Sequence, residues 1–223
     1  MFTGWFFLTL VFMATNWLAV WFGWRTANFI TKPAIMVALT GWFLTVAGAS
    51  FPTVWFGIGL VAALAGDVFL LFEGRNFLYG MASFMLMHAA YILGFSKQLS
   101  DLNLAEGVFV TIVFALWIFF YISIRKRALN NASFVKIEIP LVIYNLFILI
   151  MVISAVLTNF NPKWPPAAGV LVSCGAVLFL FSDVLLAADR FIQPMPSARL
   201  WKRITYQIGQ LAIIAGVLLS SSA

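Results

Sequence analysis

Two carboxyl groups, Asp67 and Asp183, stand inside long apolar stretches of a 223-residue chain that is 64% hydrophobic and only 9% charged. An ionisable side chain is costly in hydrocarbon, and where one occurs it marks a site or a pathway. In a partly dry chamber two neighbouring carboxyls divide their roles, one holding its proton and the other its charge. Such a pair supplies an acid and a base. Few other polar groups accompany them. Gly80, Phe84, His88 and Tyr91 recur at i, i+4, i+8 and i+11, one stripe of a helix. Tyr206 and Gln210 form an i, i+4 pair, Tyr144 and Asn145 are adjacent, and Lys32 is expected at the mouth of a span. Arg75 and Arg190 follow the two aspartates at a similar distance.

Each of these features also has a purely structural reading. Asp67 and Asp183 could pair with Lys32, Arg75 or Arg190 and hold helices together. His88 could be a hydrogen-bonded packing residue, and Tyr206 with Gln210 could be interhelical glue. Tyr91 and Tyr144 could be packing aromatics, and Arg125-Lys126-Arg127 reads as a topology signal. The functional reading rests on their convergence at one membrane level.

Several chemistries are set aside by the residues. His88 and Cys174 are the single histidine and the single cysteine, so no His- or Cys-rich zinc site can form, although carboxylates could still hold a hard cation. A bis-histidine haem lacks its second ligand. No Gly-x-Ser-x-Gly element or phosphate-binding glycine loop occurs. An aspartyl intramembrane protease would carry Gly-x-Gly-Asp, whereas this chain reads Leu64-Ala65-Gly66-Asp67. The residues call for no cofactor and no metal.

The elements that must position these groups are membrane helices. The mean hydropathy is +1.05, and soluble domains carry about 25% charged residues. A soluble fold of this composition would expose large apolar patches. Apolar stretches of about 18 residues recur along the chain, enough to cross a core of roughly 30 Å. The expected class is an all-α membrane protein of about eight transmembrane helices in one domain over residues 1–223. The spans are placed at Trp5–Trp24, Pro33–Ala49, Val54–Phe72, Phe77–Phe95, Gly107–Ile124, Ile139–Thr158, Ala167–Ala187 and Ile204–Ser220. The first reads as a retained helix, not a signal peptide.

Of the 13 Lys and Arg, all but Lys97 and Lys163 fall in the loops after the odd-numbered spans. That asymmetry puts those loops in the cytoplasm and both termini outside it. A bacterial inner membrane is the expected location. The net charge of +6 then belongs to loops and lipid headgroups, with no nucleic-acid partner. Asp67 and Asp183 come four or five residues before the cytoplasmic ends of spans three and seven, about 6 to 8 Å inside at ~1.5 Å per residue. The segments Gly66-Asp67-Val68-Phe69-Leu70-Leu71 and Ser182-Asp183-Val184-Leu185-Leu186, each followed by an arginine and a phenylalanine, suggest two four-helix halves in a parallel repeat. A polar cavity open to the cytoplasmic leaflet follows.

The chain resembles the lysoplasmalogenase, or YhhN-like, family of multi-pass membrane proteins. The matching segments are Lys32-Pro33, Gly66-Asp67 through Phe77, then Gly80, Phe84, His88 and Tyr91. Phe181-Ser182-Asp183 and Tyr206 with Gln210 complete them. The resemblance implies a lysophospholipid substrate and cleavage of the vinyl ether bond of lysoplasmalogens, giving a fatty aldehyde and a glycerophospho-alcohol. On that reading Asp67 and Asp183 are the catalytic pair. His88, Tyr206 and Gln210 orient water or glycerol oxygens, and Tyr91, Tyr144 and Asn145 line the substrate site. Lys32, with Arg75 or Arg190, holds the phosphate. The rival from another class is a proton-coupled transporter or lipid-binding membrane protein, which repeated halves with buried aspartates would equally suit.

Overall fold

The computed structural model describes residues 2–47, 53–72, 76–96 and 103–221. Arg75, Lys97 and the expected end of the second span at Ala49 lie outside them. The described residues form eight long helices in chain order: α1 (Gly4–Trp21), α2 (Arg25–Ala47), α3 (Thr53–Phe69), α4 (Asn76–Ser96), α5 (Leu104–Ala128), α6 (Ala132–Leu157), α7 (Pro166–Ala187) and α8 (Ala198–Ser221). A 3-10 turn (Thr158–Phe160) follows α6 and a π-turn (Ala188–Ile192) follows α7. Seven helices are long and apolar enough to cross a membrane, and α3 is a shorter apolar helix of 17 residues. The protein is an integral, multi-pass, all-α membrane protein.

Local chemistry fixes several ends. Asn103 and Glu106 close a capping box at the start of α5. The Asn131 side chain caps α6, and Pro166 opens α7, where its missing N–H costs nothing. The helices depart from the expected spans in one consistent way. α2 starts at Arg25 rather than Pro33, α6 at Ala132 rather than Ile139, and α8 at Ala198 rather than Ile204. Pro33 and Pro140 lie inside helices, not at their starts. Hydropathy marks where a chain enters hydrocarbon, whereas a helix can begin one or two polar turns earlier. Those extra turns carry much of the site.

α1 pairs with α2, α3 with α4, and α7 with α8, while α4 and α7 both pack on α6. The core holds Trp42, Phe56, Leu60, Met87, Tyr91, Phe95, Ile148, Met151 and Phe179. α5 stands at the edge, resting Phe109, Val113 and Trp117 on Leu149, Ile153 and Leu157 of α6. Its outer face, with Ile112, Leu116, Phe119 and Phe120, is exposed, as a lipid-facing surface must be.

The hairpins α3–α4 and α7–α8 both close on glycine. A Cβ on Gly59 would stand 2.3 Å from the Tyr91 ring, and one on Gly66 would stand 2.8 Å from the Phe84 ring. In the second hairpin the backbones themselves meet. A Cβ on Gly175 would lie 2.6 Å from the Gly209 carbonyl oxygen, and one on Gly209 would lie 2.8 Å from that of Gly175. Where lipid gives helices no hydrophobic reason to associate, such close approach is what binds them.

Candidate functional site

Three helices present the same spacing toward one end of the bundle. Arg25, Asn28, Phe29 and Lys32 of α2 stand at i, i+3, i+4 and i+7. So do Phe179, Ser182, Asp183 and Leu186 of α7, and Arg199, Lys202, Arg203 and Tyr206 of α8. Each set is one stripe of a helix. Phe77, Met81 and Phe84 of α4, with Leu141, Tyr144 and Asn145 of α6, complete the wall, and Asp67 of α3 joins it. Together they enclose a cavity of about 970 Å³. It runs from exposed Arg25, Phe29, Arg190 and Arg199 inward to buried Lys32, Asp67, Tyr206 and Phe179.

Asp67 and Asp183 both line this cavity, each in its own polar setting. Lys32 places its Nζ 3.0 Å from Asp67 Oδ1 and donates to the Asp67 carbonyl oxygen at 3.0 Å. Tyr206 donates its hydroxyl to Asp67 Oδ2 at 2.9 Å. This carboxylate is enclosed, ion-paired and hydrogen-bonded. Asp183 is partly exposed, and among the described residues no cation stands within ion-pair distance of it. It accepts a hydrogen bond from Tyr144.

The same Tyr144 oxygen lies 3.4 Å from His88 Nε2. With the phenol proton committed to Asp183, Nε2–H is the donor of that contact. His88 Nδ1 is buried without a partner. Aromatic rings connect the partners of the two acids. Phe179 packs edge-on against Tyr206 at 5.2 Å and against His88 at 4.9 Å, and Phe84 lies 5.7 Å from Tyr206.

The remaining predicted residues divide. Asn145 lines the cavity while donating to the Leu141 carbonyl at 2.7 Å. Arg190 stands at the mouth with its guanidinium 4.0 Å from the Phe77 ring centre. Tyr91 and Gln210 do not reach the cavity. Tyr91 donates to Gln210 Oε1 at 2.8 Å, and the amide nitrogen of Gln210 turns to the Met87 sulfur, all inside the core. His88 likewise stays behind the wall, touching the site through Tyr144 and Phe179. Lys32 is expected at a helix mouth but lies two turns inside α2 on Asp67, which realises the ion-pair reading of that aspartate. Arg125, read from the sequence as part of a topology signal, pairs with Glu138 and ties α5 to α6.

Sequence reasoning missed Arg25, Asn28, Ser182, Asp189, Arg199, Lys202 and Arg203. The i, i+3, i+4, i+7 spacing was available in the sequence, but the late helix starts assigned most of these residues to loops. Asp189 pairs with Lys202 at 2.6 Å and accepts from the Met195 backbone N–H at 2.8 Å, bracing the chain between α7 and α8. Among the described residues no group of three or more His, Cys, Asp or Glu could hold a metal ion.

The YhhN family matches residues 27–217. The chain is similar to the lysoplasmalogenase TMEM86B of Mus musculus, 28% identical over 196 residues, covering 87% of this chain and 76% of that protein. The lysoplasmalogenase TMEM86B of Homo sapiens is 29% identical over 161 residues, 72% of this chain and 62% of its own. The lysoplasmalogenase TMEM86A of Bos taurus is 27% identical over 158 residues, 70% of this chain and 62% of its own. No solved structure matches.

Proposed function

The chain belongs to the YhhN family, and on that premise we propose that it is a membrane-embedded hydrolase of lysoplasmalogens, cleaving the vinyl ether bond by acid–base chemistry at Asp183 and Asp67. The observation that carries the reading is the unequal setting of the two carboxyls on one cavity. Asp67 faces an ammonium and accepts from Tyr206. Asp183 meets only neutral donors and is the group that can hold a proton.

The proposed reaction starts with Asp183 in its acid form, oriented by Tyr144. Its proton goes to the outer vinyl carbon, and the ether oxygen shares the resulting positive charge as an oxocarbenium ion. Water adds to the carbon bearing that oxygen and gives a proton back to a carboxylate. The hemiacetal then breaks its bond to the glycerol oxygen, its hydroxyl proton passing to that oxygen. One water is consumed, and fatty aldehyde and glycerophospho-alcohol leave. Asp67 contributes negative charge near the cation, and Tyr206 and Lys32 fix its position. A positioned acid or base is worth about 10²- to 10⁴-fold in rate. The aliphatic chain would lie along Phe29, Leu70, Phe77 and Met81 toward the lipid.

The test is aldehyde release by purified, folded protein given a 1-alkenyl lysophospholipid. Asp183→Asn and Asp67→Asn are each expected to abolish it. Full activity in either variant overturns the two-carboxyl mechanism. Binding of the lipid without any aldehyde from the wild-type protein would instead indicate a carrier.

A further inference from the structure

Six cations and three carboxyls line the cavity among the described residues. Lys32 pairs with Asp67 and Lys202 with Asp189. Four arginines remain, and among the described residues no acidic side chain stands within ion-pair distance of them; Asp67 acts on Arg203, and Asp189 on Arg199, only at longer range. Arg203 is the most demanding. It is partly buried, and its guanidinium Nη1 is fully enclosed with no hydrogen-bond partner. A buried donor left unmade costs about 1–3 kcal/mol, more when charged. A group arriving from the cavity is what would complete it.

The helix geometry makes the same demand independently. α8 opens with Arg199, Lys202 and Arg203 in its first turns and no acidic residue, and α2 opens with Arg25 and none. The positive end of a helix dipole favours anions and disfavours cations. Two helix starts that load arginine onto their positive ends at one cavity mouth are unfavourable alone. They become favourable around a bound anion.

We propose that Arg203, supported by Arg199 and Arg25, is the anchor for the phosphate of the bound lipid and sets the preference for phosphate-bearing over phosphate-free ether lipids. This rests on the reading of the cavity as a lysolipid site and adds the residue that selects the headgroup. Arginine suits the role because its planar fork meets two phosphate oxygens at once. Lys32 does not, since its ammonium is committed to Asp67. Arg203 comes one turn before Tyr206, the hydrogen-bond donor to Asp67. A phosphate held there would fix the distance from headgroup to scissile bond.

The experiment uses the full chain in detergent with ligands that cannot be cleaved. These are a saturated 1-alkyl glycerophosphoethanolamine, the corresponding 1-alkylglycerol without phosphate, and inorganic phosphate. The phosphate-bearing lipid is expected to bind about 10- to 100-fold tighter than the alkylglycerol. Arg203→Gln should erase that difference and leave alkylglycerol affinity unchanged, with Arg203→Lys in between. Retained preference in Arg203→Gln overturns the proposal, and so does equal loss of both lipids. If Arg203→Gln does not fold, Arg203→Lys and Arg199→Gln carry the same comparison, and a preference intact in both overturns the proposal. Inorganic phosphate binding as tightly as the lipid would replace the headgroup by a free ion and overturn it too. None of these readings needs turnover, so a protein that releases no aldehyde ends the hydrolase reading while the Arg203 result stands.

Discussion

Lys32 and Asp67 form an ion pair in which both side chains are almost fully enclosed, 5% and 3% exposed, with Nζ 3.0 Å from the carboxylate. The lysine also holds the backbone carbonyl of the same aspartate, so α2 grips α3 by main chain and side chain together. A buried pair of this kind contributes modest net stability. It does give the two carboxyls at the cavity different partners, Lys32 for Asp67 and Tyr144 for Asp183.

Removing one partner leaves an uncompensated charge. Lys32→Met is expected to destabilise the protein by about 3–5 kcal/mol, read as a large drop in thermal midpoint. Lys32→Met with Asp67→Asn should recover most of that loss, because neither charge is then stranded. The double variant should nonetheless remain inactive. If it regained activity, Asp67 would have only a structural role.

A variant at Tyr144 tests the proposed proton delivery apart from binding. Tyr144→Phe keeps the ring that packs on His88 and removes the hydroxyl that donates to Asp183 and contacts His88 Nε2. The expected result is a fall in kcat of roughly 10- to 100-fold with KM little changed, the signature of an interaction that matters in the transition state. Tyr91→Phe, whose hydroxyl serves Gln210 inside the core, should lower stability by about 1–3 kcal/mol and leave kcat nearly unaltered. Equal kinetic losses in the two variants would contradict the placement of the site at Tyr144.

Residue types and periodicity made the number of helices legible, and with it the two aspartates at one end of the bundle. A lone aspartate in a twenty-residue apolar run is conspicuous because so little else there is polar. Partner choice was not legible. Lys32 could pair with Asp67 or stand free for phosphate, and only the packing of α2 on α3 decides. Gly80, Phe84, His88 and Tyr91 were read as one functional stripe. The stripe is real, but it winds away from the cavity into the core, so Phe84 lines the wall while Tyr91 lies deep. Arg203 was hidden for another reason. In a membrane protein basic residues at span ends serve topology, and the same arginine serves a ligand only if the helix already turns there.

The glycine contact between α7 and α8 tests what holds this hairpin together. Gly209→Leu would drive a side chain into the Gly175 carbonyl and the Phe179 backbone nitrogen, 2.8 and 3.1 Å from a Cβ. Neither atom belongs to a movable side chain, so α8 must separate and carry Tyr206 and Arg203 from the cavity. The variant is expected to lose its unfolding transition or its activity entirely. Gly107→Ala, with nothing within 4 Å of its Cβ, is the matched control and should be neutral or stabilising by up to ~1 kcal/mol. A well-folded, active Gly209→Leu protein would show that this close contact is dispensable.

The side of the membrane from which substrate enters depends on orientation. Lys126, near the end of α5, belongs to the same end of the bundle as the cavity, since Ala128 packs with Phe191 of the cavity wall. Lys163 lies beyond α6, beside Trp164, which packs on Phe95 at the far end of α4. With Cys174 replaced by serine, Lys126→Cys is expected to react with an impermeant maleimide only when the cytoplasmic face is accessible, and Lys163→Cys only from the opposite face. The charge asymmetry of the loops demands this pattern. The inverse pattern would turn the cavity to the outer leaflet, and a lysolipid substrate would then have to arrive from outside the cell.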